Sequence, residues 1–236
     1  MINQDKLHDG HRQRLINRFL EEDLDHFNSH QVLELMLFYC IPRQDTNPIA
    51  HALLTRFGSL ARVMEAPIDE LQEVNGIGEK AATFLSVLNS FCRYCDIHRF
   101  DPGTILDTSA ACANTVIPYF NGIRNETVYL LCLDAKCMKL CCLKVGEGSV
   151  NSAAVPIRRI VEVALTTNAT TVVLAHNHPS GIALPSPEDV LTTKKLAAAL
   201  AAVDITLADH IVVADGEGVS MRDSRMYNPD DCQMFV

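Results

Sequence analysis

The chain has 236 residues, 48% of them hydrophobic, and a formal net charge of −9; that length suits one large domain or two small ones, each with its own core. No apolar run reaches the ~18 residues that a membrane span needs. Residues 1–100 hold 10 Lys/Arg against 14 Asp/Glu and the remainder 10 against 15, which argues against strong nonspecific binding of nucleic acid, because that depends on phosphate neutralisation.

The opening stretch MINQDKLHDGHRQRL is polar and lacks the apolar segment of a secretory signal. Nine cysteines, an odd count, follow it, and the expectation is reduced thiols in a cytoplasm. Cys92 and Cys95 form one C-x-x-C without a second such pair. They read as ordinary small residues on a helix rather than as a zinc or redox site.

Residues 1–98 are expected to form a helical module. Leu15, Ile16, Phe19 and Leu20 follow helical spacing, as do Val32, Leu33, Leu35, Met36 and Leu37. Asn47 followed by Pro48 starts a new helix. Ala66-Pro67-Ile68-Asp69 breaks the pattern, and a short helix follows around Glu70. Val74-Asn75-Gly76-Ile77-Gly78 then precedes a helix over 83–92. Gly-x-Gly before a helix lets backbone amides approach a phosphate, and Lys80 would add charge. The structural alternative is a tight turn between two packed helices, and Glu73 and Glu79 favour that alternative over DNA contact. His8, His11, His26, His30, His51 and His98 show no ligand spacing.

Residues 99–125, with Asp101-Pro102-Gly103 and Asn121-Gly122, read as a linker with one short helix near 108–119. From residue 126 the texture changes to α/β. Strands are expected at 128–134 and 138–145, joined by Ala135-Lys136-Cys137, then a helix from Pro156 to Thr167. A buried strand follows at 170–175, a helix from Ser186 to Val203 and a strand at 205–214.

The informative stretch is His176-Asn177-His178-Pro179-Ser180-Gly181, continued by Pro185-Ser186-Pro187-Glu188-Asp189. Alternation along a strand lets His176 and His178 face the same way while Asn177 faces away. Pro179, Ser180 and Gly181 turn the chain. Ser186 suits an N-cap, Pro187 the first helical position, and Asp189 the third. Two imidazoles and one carboxylate would leave one position of a tetrahedral zinc ion open, the mark of a catalytic site. Each part also has a plainer reading, in which Ser186 and Asp189 cap a helix and His-x-His is a surface pair. His210 in ADHIVV reads as a satisfied strand histidine or as support for the ligands, and Asp209 reads likewise.

His-x-His, seven residues, Ser, two residues, Asp is the signature of JAMM (MPN-plus) metalloprotease-like domains, and the fuller HNHPSG…PS…D resembles the RadC family, named for DNA repair. GHRQRL, LELMLFYCIPRQDTNPIAHALLTRFGSL, VNGIGEKAA and ADHIVV also resemble that family. The resemblance implies a helix-hairpin-helix-like module over 1–98, a linker over 99–125 and, over 126–236, a JAMM-type (cytidine-deaminase-like) α/β domain with a mixed sheet. It implies one Zn2+ per chain on His176, His178 and Asp189, with Ser186 stabilising an oxyanion. It also implies a glutamate on an earlier strand as general acid/base. Glu126 is preferred over Glu147 and Glu162 because it opens a strand resembling the corresponding segment.

The expected activity is zinc-dependent hydrolysis of peptide or isopeptide-type amide bonds, with a peptide or protein as substrate and no membrane partner. The alternative is a non-catalytic DNA-repair or recombination accessory factor that binds DNA or repair proteins through its N-terminal module, with Gly76, Gly78 and Lys80 as the candidate nucleic-acid contacts. A metal-dependent nuclease is disfavoured because literal His-Asn-His adjacency is not how ββα nuclease sites are built. The H-x-E with P-C-x-x-C of zinc deaminases is missing, as is H-E-x-x-H.

Overall fold

The computed structural model describes residues 10–98, 104–148 and 156–229. His8 and the Asp101-Pro102-Gly103 turn lie outside them. The chain divides into two compact units, Met1–Cys92 and Arg93–Val236.

The first unit is helical throughout its described residues: α1 (His11–Glu22), α2 (Ser29–Cys40), α3 (Asn47–Phe57), α4 (Leu60–Glu65), α5 (Ile68–Gln72) and the start of α6 (Glu79–Ile97). α2 begins with a capping box between Asn28 and Gln31, and α3 carries Pro48 in its first turn. Leu33, Leu37, Leu53, Val63, Leu71, Ala82 and Leu85 form the core. They recur at helical spacing, so each helix turns one apolar stripe inward. The helix expected over 83–92 extends further at both ends.

The second unit holds α7 (Ser109–Val116), a 3-10 turn (Ile117–Phe120), β1 (Thr127–Leu133), β2 (Lys139–Glu147), α8 (Ile157–Thr166), β3 (Thr171–Asn177), α9 (Pro187–Ala201), β4 (Thr206–Ala214) and β5 (Glu217–Ser220). The strands form one mixed sheet in the order β2-β1-β3-β4-β5, with β3 and β4 parallel and the other neighbours antiparallel. The α8 and α9 residues Ile160, Leu196 and Leu200 pack on Leu130, Cys132, Val172 and Leu174. On the opposite face Cys112, Val116 and Phe120 pack on Leu131, Leu133, Val173 and Ile211. Thus α7, in the stretch read as a linker, is part of a sheet core. β5 was not anticipated; four residues are too few for periodicity to reveal.

Among the described residues no helix is long and apolar enough to cross a membrane. The eight described cysteines are free thiols.

Candidate metal centre

β3 brings the two histidines to the same edge of the unit. Val172 and Leu174 face α8 and α9, so His176, two residues on, faces the same layer. Asn177 points to the other side and is buried. Its Oδ1 accepts from Thr127 N at 2.8 Å and its Nδ2 donates to Asn125 O at 3.2 Å. That amide clamps the start of β1 to the end of β3. Gly181, at φ +83°, turns the chain after His178 where an added Cβ would lie 2.9 Å from Asp215 Oδ2. The chain then returns to α9, where Ser186 and Asp189 form a complete capping box.

That cap and the metal site coexist because Asp189 divides its oxygens. Oδ2 accepts from Ser186 N and from Ser186 Oγ, each at 2.7 Å. Oδ1 faces His176 Nε2 at 3.3 Å. His178 Nε2 lies 2.9 Å from His176 Nε2 and 3.5 Å from Asp189 Oδ2. Among the described residues these three form the one group able to hold a metal ion, with donor atoms all within 4.8 Å of one another. A tetrahedral zinc ion with bonds of about 2.0–2.2 Å requires donor separations of about 3.4 Å. His176 Nε2 stands near that separation from both other ligands, 3.3 Å from Asp189 Oδ1 and 2.9 Å from His178 Nε2, while His178 Nε2 is 3.5 Å from the other carboxylate oxygen, Oδ2. Polarity agrees, because His178 Nδ1 donates to Ile182 O at 3.0 Å, which leaves a lone pair on Nε2 when the ring is neutral. Burial pushes His176 down to about 4 and holds His210 well below its ordinary value, so both are neutral at pH 7. Nitrogen-rich ligation of this kind suits zinc and similar transition metals better than magnesium or calcium.

Glu126 immediately precedes β1. Val128 pairs with His176, and continuing that antiparallel register two residues sets Glu126 across from His178. Its Oε2 is buried without a hydrogen-bond partner. Desolvation raises its pKa; the His178 charge lowers it and Asp189 raises it. The other two glutamates are engaged elsewhere: Glu147 with Lys144 at 2.5 Å and Glu162 with Arg158 at 3.1 Å.

Sequence reasoning left His210 between a satisfied histidine and a support for the ligands, and it did not single out Thr193. His210 Nε2 lies 2.7 Å from His176 Nδ1, and Thr193 Oγ1 lies 2.6 Å from His210 Nδ1. A bulge in β4 puts His210 there. Val172 pairs with Leu207 but Val173 with Asp209, so Ala208 is the extra residue and every later side chain changes face. Asp209 consequently points away, where it accepts from His210 N, Ser220 Oγ and Arg222 N. One signal was present in the sequence: Asp209 and His210 are adjacent polar residues inside a largely apolar strand.

The N-terminal glycines lie in the first unit. Gly76, at φ +94°, sits where a Cβ would approach Ile49 Cδ1 to 2.7 Å, so packing alone requires glycine. Gly78 has nothing within 4 Å of an added Cβ, and Lys80 is exposed. Glu73 pairs with Arg56.

Comparison with known proteins agrees with this architecture. The RadC-like JAB domain family matches residues 106–226. UPF0758 protein SPO0054 of Ruegeria pomeroyi is 32% identical over 217 residues, covering 90% of this chain and 95% of its own length. UPF0758 protein FN0909 of Fusobacterium nucleatum is 30% identical over 216 residues, covering 89% and 93%. With its helical N-terminal region, its five-stranded mixed sheet and these matches, the chain belongs to the RadC family and carries that family's JAB domain in its C-terminal part.

Proposed function

We propose that the protein is a zinc-dependent hydrolase of peptide or isopeptide-type amide bonds. The observation that carries this reading is the convergence of His176 Nε2, His178 Nε2 and the Asp189 carboxylate, with the orphaned Glu126 Oε2 held close by. When bound there, zinc acts as a Lewis acid and makes water nucleophilic at neutral pH. Glu126 takes the proton of the attacking water on Oε2 and returns it to the leaving amine. Its desolvated setting suits a group that must hold a proton and then release it. Ser186 Oγ, whose hydrogen points at Asp189 Oδ2, turns toward the developing oxyanion. The eight free thiols among the described residues support a cytoplasmic setting.

Metal analysis of the purified protein beside a His176→Ala/His178→Ala variant tests the reading: about one zinc per wild-type chain and none in the variant is the expected result. Screens on isopeptide, peptide and DNA substrates then identify the bond cleaved. An equal metal content in both proteins ends the proposal.

A second reading, DNA contact by the helical unit in a repair accessory role, has one observation in its favour. Gly78 lies exposed before the 19-residue α6 with no packing reason to be glycine, which leaves backbone amides open to a phosphate. A salt-dependent mobility shift with the full chain tests it, and no binding at low salt removes it.

A further inference from the structure

His176 offers one ring nitrogen to the metal site and gives the other to a buried chain of polar groups. Nδ1 lies 2.7 Å from His210 Nε2. His210 Nδ1 lies 2.6 Å from Thr193 Oγ1. Thr193 Oγ1 lies 2.6 Å from the backbone carbonyl oxygen of Asp189. The residues are shut from solvent, at 3% exposure for His176, 1% for His210 and 0% for Thr193, so water cannot substitute for any link.

The chain has a direction, and the carbonyl sets it. A carbonyl oxygen only accepts. Two oxygens 2.6 Å apart without a hydrogen between them would repel, so the Thr193 hydroxyl donates to Asp189 O. Its one hydrogen is then used, and Met221 Sδ at 3.7 Å is a much poorer acceptor. The nearby His210 Nδ1 must therefore donate to Thr193 Oγ1. Neutral His210 then has its lone pair on Nε2, so His176 Nδ1 is the donor to it. His176 Nε2 is left with a lone pair directed at His178 Nε2 and Asp189 Oδ1. With His178 already fixed by Ile182 O, all three facing atoms are electron-rich, an arrangement that a cation relieves.

We infer that Thr193, acting through His210, locks His176 into the Nδ1–H tautomer and so presets its Nε2 for metal. Both are positioning residues: neither touches the metal or the substrate. The chain also closes on itself, since it begins at one ligand, His176, and ends on the backbone of another, Asp189. A shift of α9 relative to β3 would disturb both ligands together. The value of the device rests on the metal reading; its geometry does not.

The test uses the full-length, metal-free protein labelled with 15N. Imidazole 15N shifts above neutral pH report which nitrogen of each ring carries hydrogen. The wild type is expected to show Nδ1–H on His176, His178 and His210. Thr193→Val keeps the shape but removes the acceptor for His210 Nδ1–H. His210 and His176 then flip to Nε2–H, while His178 stays as an internal control. Zinc affinity by chelator competition should fall about 10- to 100-fold in this variant, and Thr193→Ser should restore it. Nε2–H on His176 in the wild type would overturn the inference without any variant. So would a Thr193→Val protein with unchanged tautomers and unchanged zinc affinity. Wild-type protein that takes up no zinc yet shows Nδ1–H on His176 would sink the hydrolase reading and leave the tautomer assignment standing.

Discussion

The two units each bury a polar cluster, and the clusters differ in whether they are complete. In the helical unit Glu34 is 1% exposed, and its two oxygens accept from His11 at 2.9 Å and Asn47 at 3.2 Å. Arg12 closes the same region by donating to the carbonyls of Phe38, Ile41 and Gln44. Every charge there has a partner, so the cluster ties α1, α2 and α3 together. In the sheet unit two imidazole nitrogens and a carboxylate oxygen face one another, and Glu126 Oε2 has no partner at all. The other orphan among the described residues is the Thr46 hydroxyl, a neutral group that costs far less to desolvate than a carboxylate. Buried polar groups that satisfy one another hold a fold together; buried polar groups left wanting mark where something else must bind.

The strongest way to break this contrast is to remove a ligand or the proton carrier. Asp189→Ala should abolish zinc uptake in metal analysis. Glu126→Gln should keep zinc and lose turnover by about 10²- to 10⁴-fold. Retained turnover in Glu126→Gln would remove that residue from the mechanism.

Metal removal comes next. At a zinc concentration about 100-fold above the dissociation constant, binding adds about 2.7 kcal/mol, which is roughly 5–10 °C of melting temperature for a chain of this size. Stripping the metal with a chelator should lower the transition by that amount in wild type and leave Asp189→Ala unmoved.

Smaller effects separate the clusters further. Glu34→Ala should cost about 1–3 kcal/mol by orphaning the groups that bond it, with zinc uptake unchanged. Gly76→Ala should cost a similar ~1–3 kcal/mol, because it puts a Cβ at positive φ and against Ile49. Gly78→Ala should be near neutral or stabilise by about 0.4–1 kcal/mol. Chemical denaturation of each variant measures all three.

The pH dependence of Glu126 has a definite sign. Desolvation raises its folded pKa above the unfolded one, so the ionised carboxylate opposes folding at neutral pH and ceases to do so once protonated. The metal-free Glu126→Gln protein should therefore melt above metal-free wild type at pH 7. The gap should close on acidification through the carboxylate range. An unchanged gap at low pH would point to packing instead.

The smallest expected signal is chemical. Burial pushes Cys112, Cys132 and Cys142 up to about 12, so they stay protonated and unreactive at mildly alkaline pH. Exposed Cys92 and Cys95 should be alkylated first, as mass spectrometry of timed samples would show.

Local rules made much of this molecule legible. Strand alternation alone sets His176 and His178 on one face, and the Ser-Pro-x-Asp cap alone places Asp189 in the first turn of α9, because both depend on backbone geometry within a few residues. The α3 start at Pro48 and the β1–β2 hairpin were readable for the same reason. What required the tertiary structure depends on contacts distant in the chain. The bulge at Ala208 swings His210 behind His176; the packing of α9 on β4 brings Thr193 to it; and the register of β1 against β3 carries Glu126 to the triad. Gly76 likewise acquires its reason from Ile49, on another helix. Such placements are fixed by how strands pair and helices stack over the whole unit, and no window of neighbouring residues contains them.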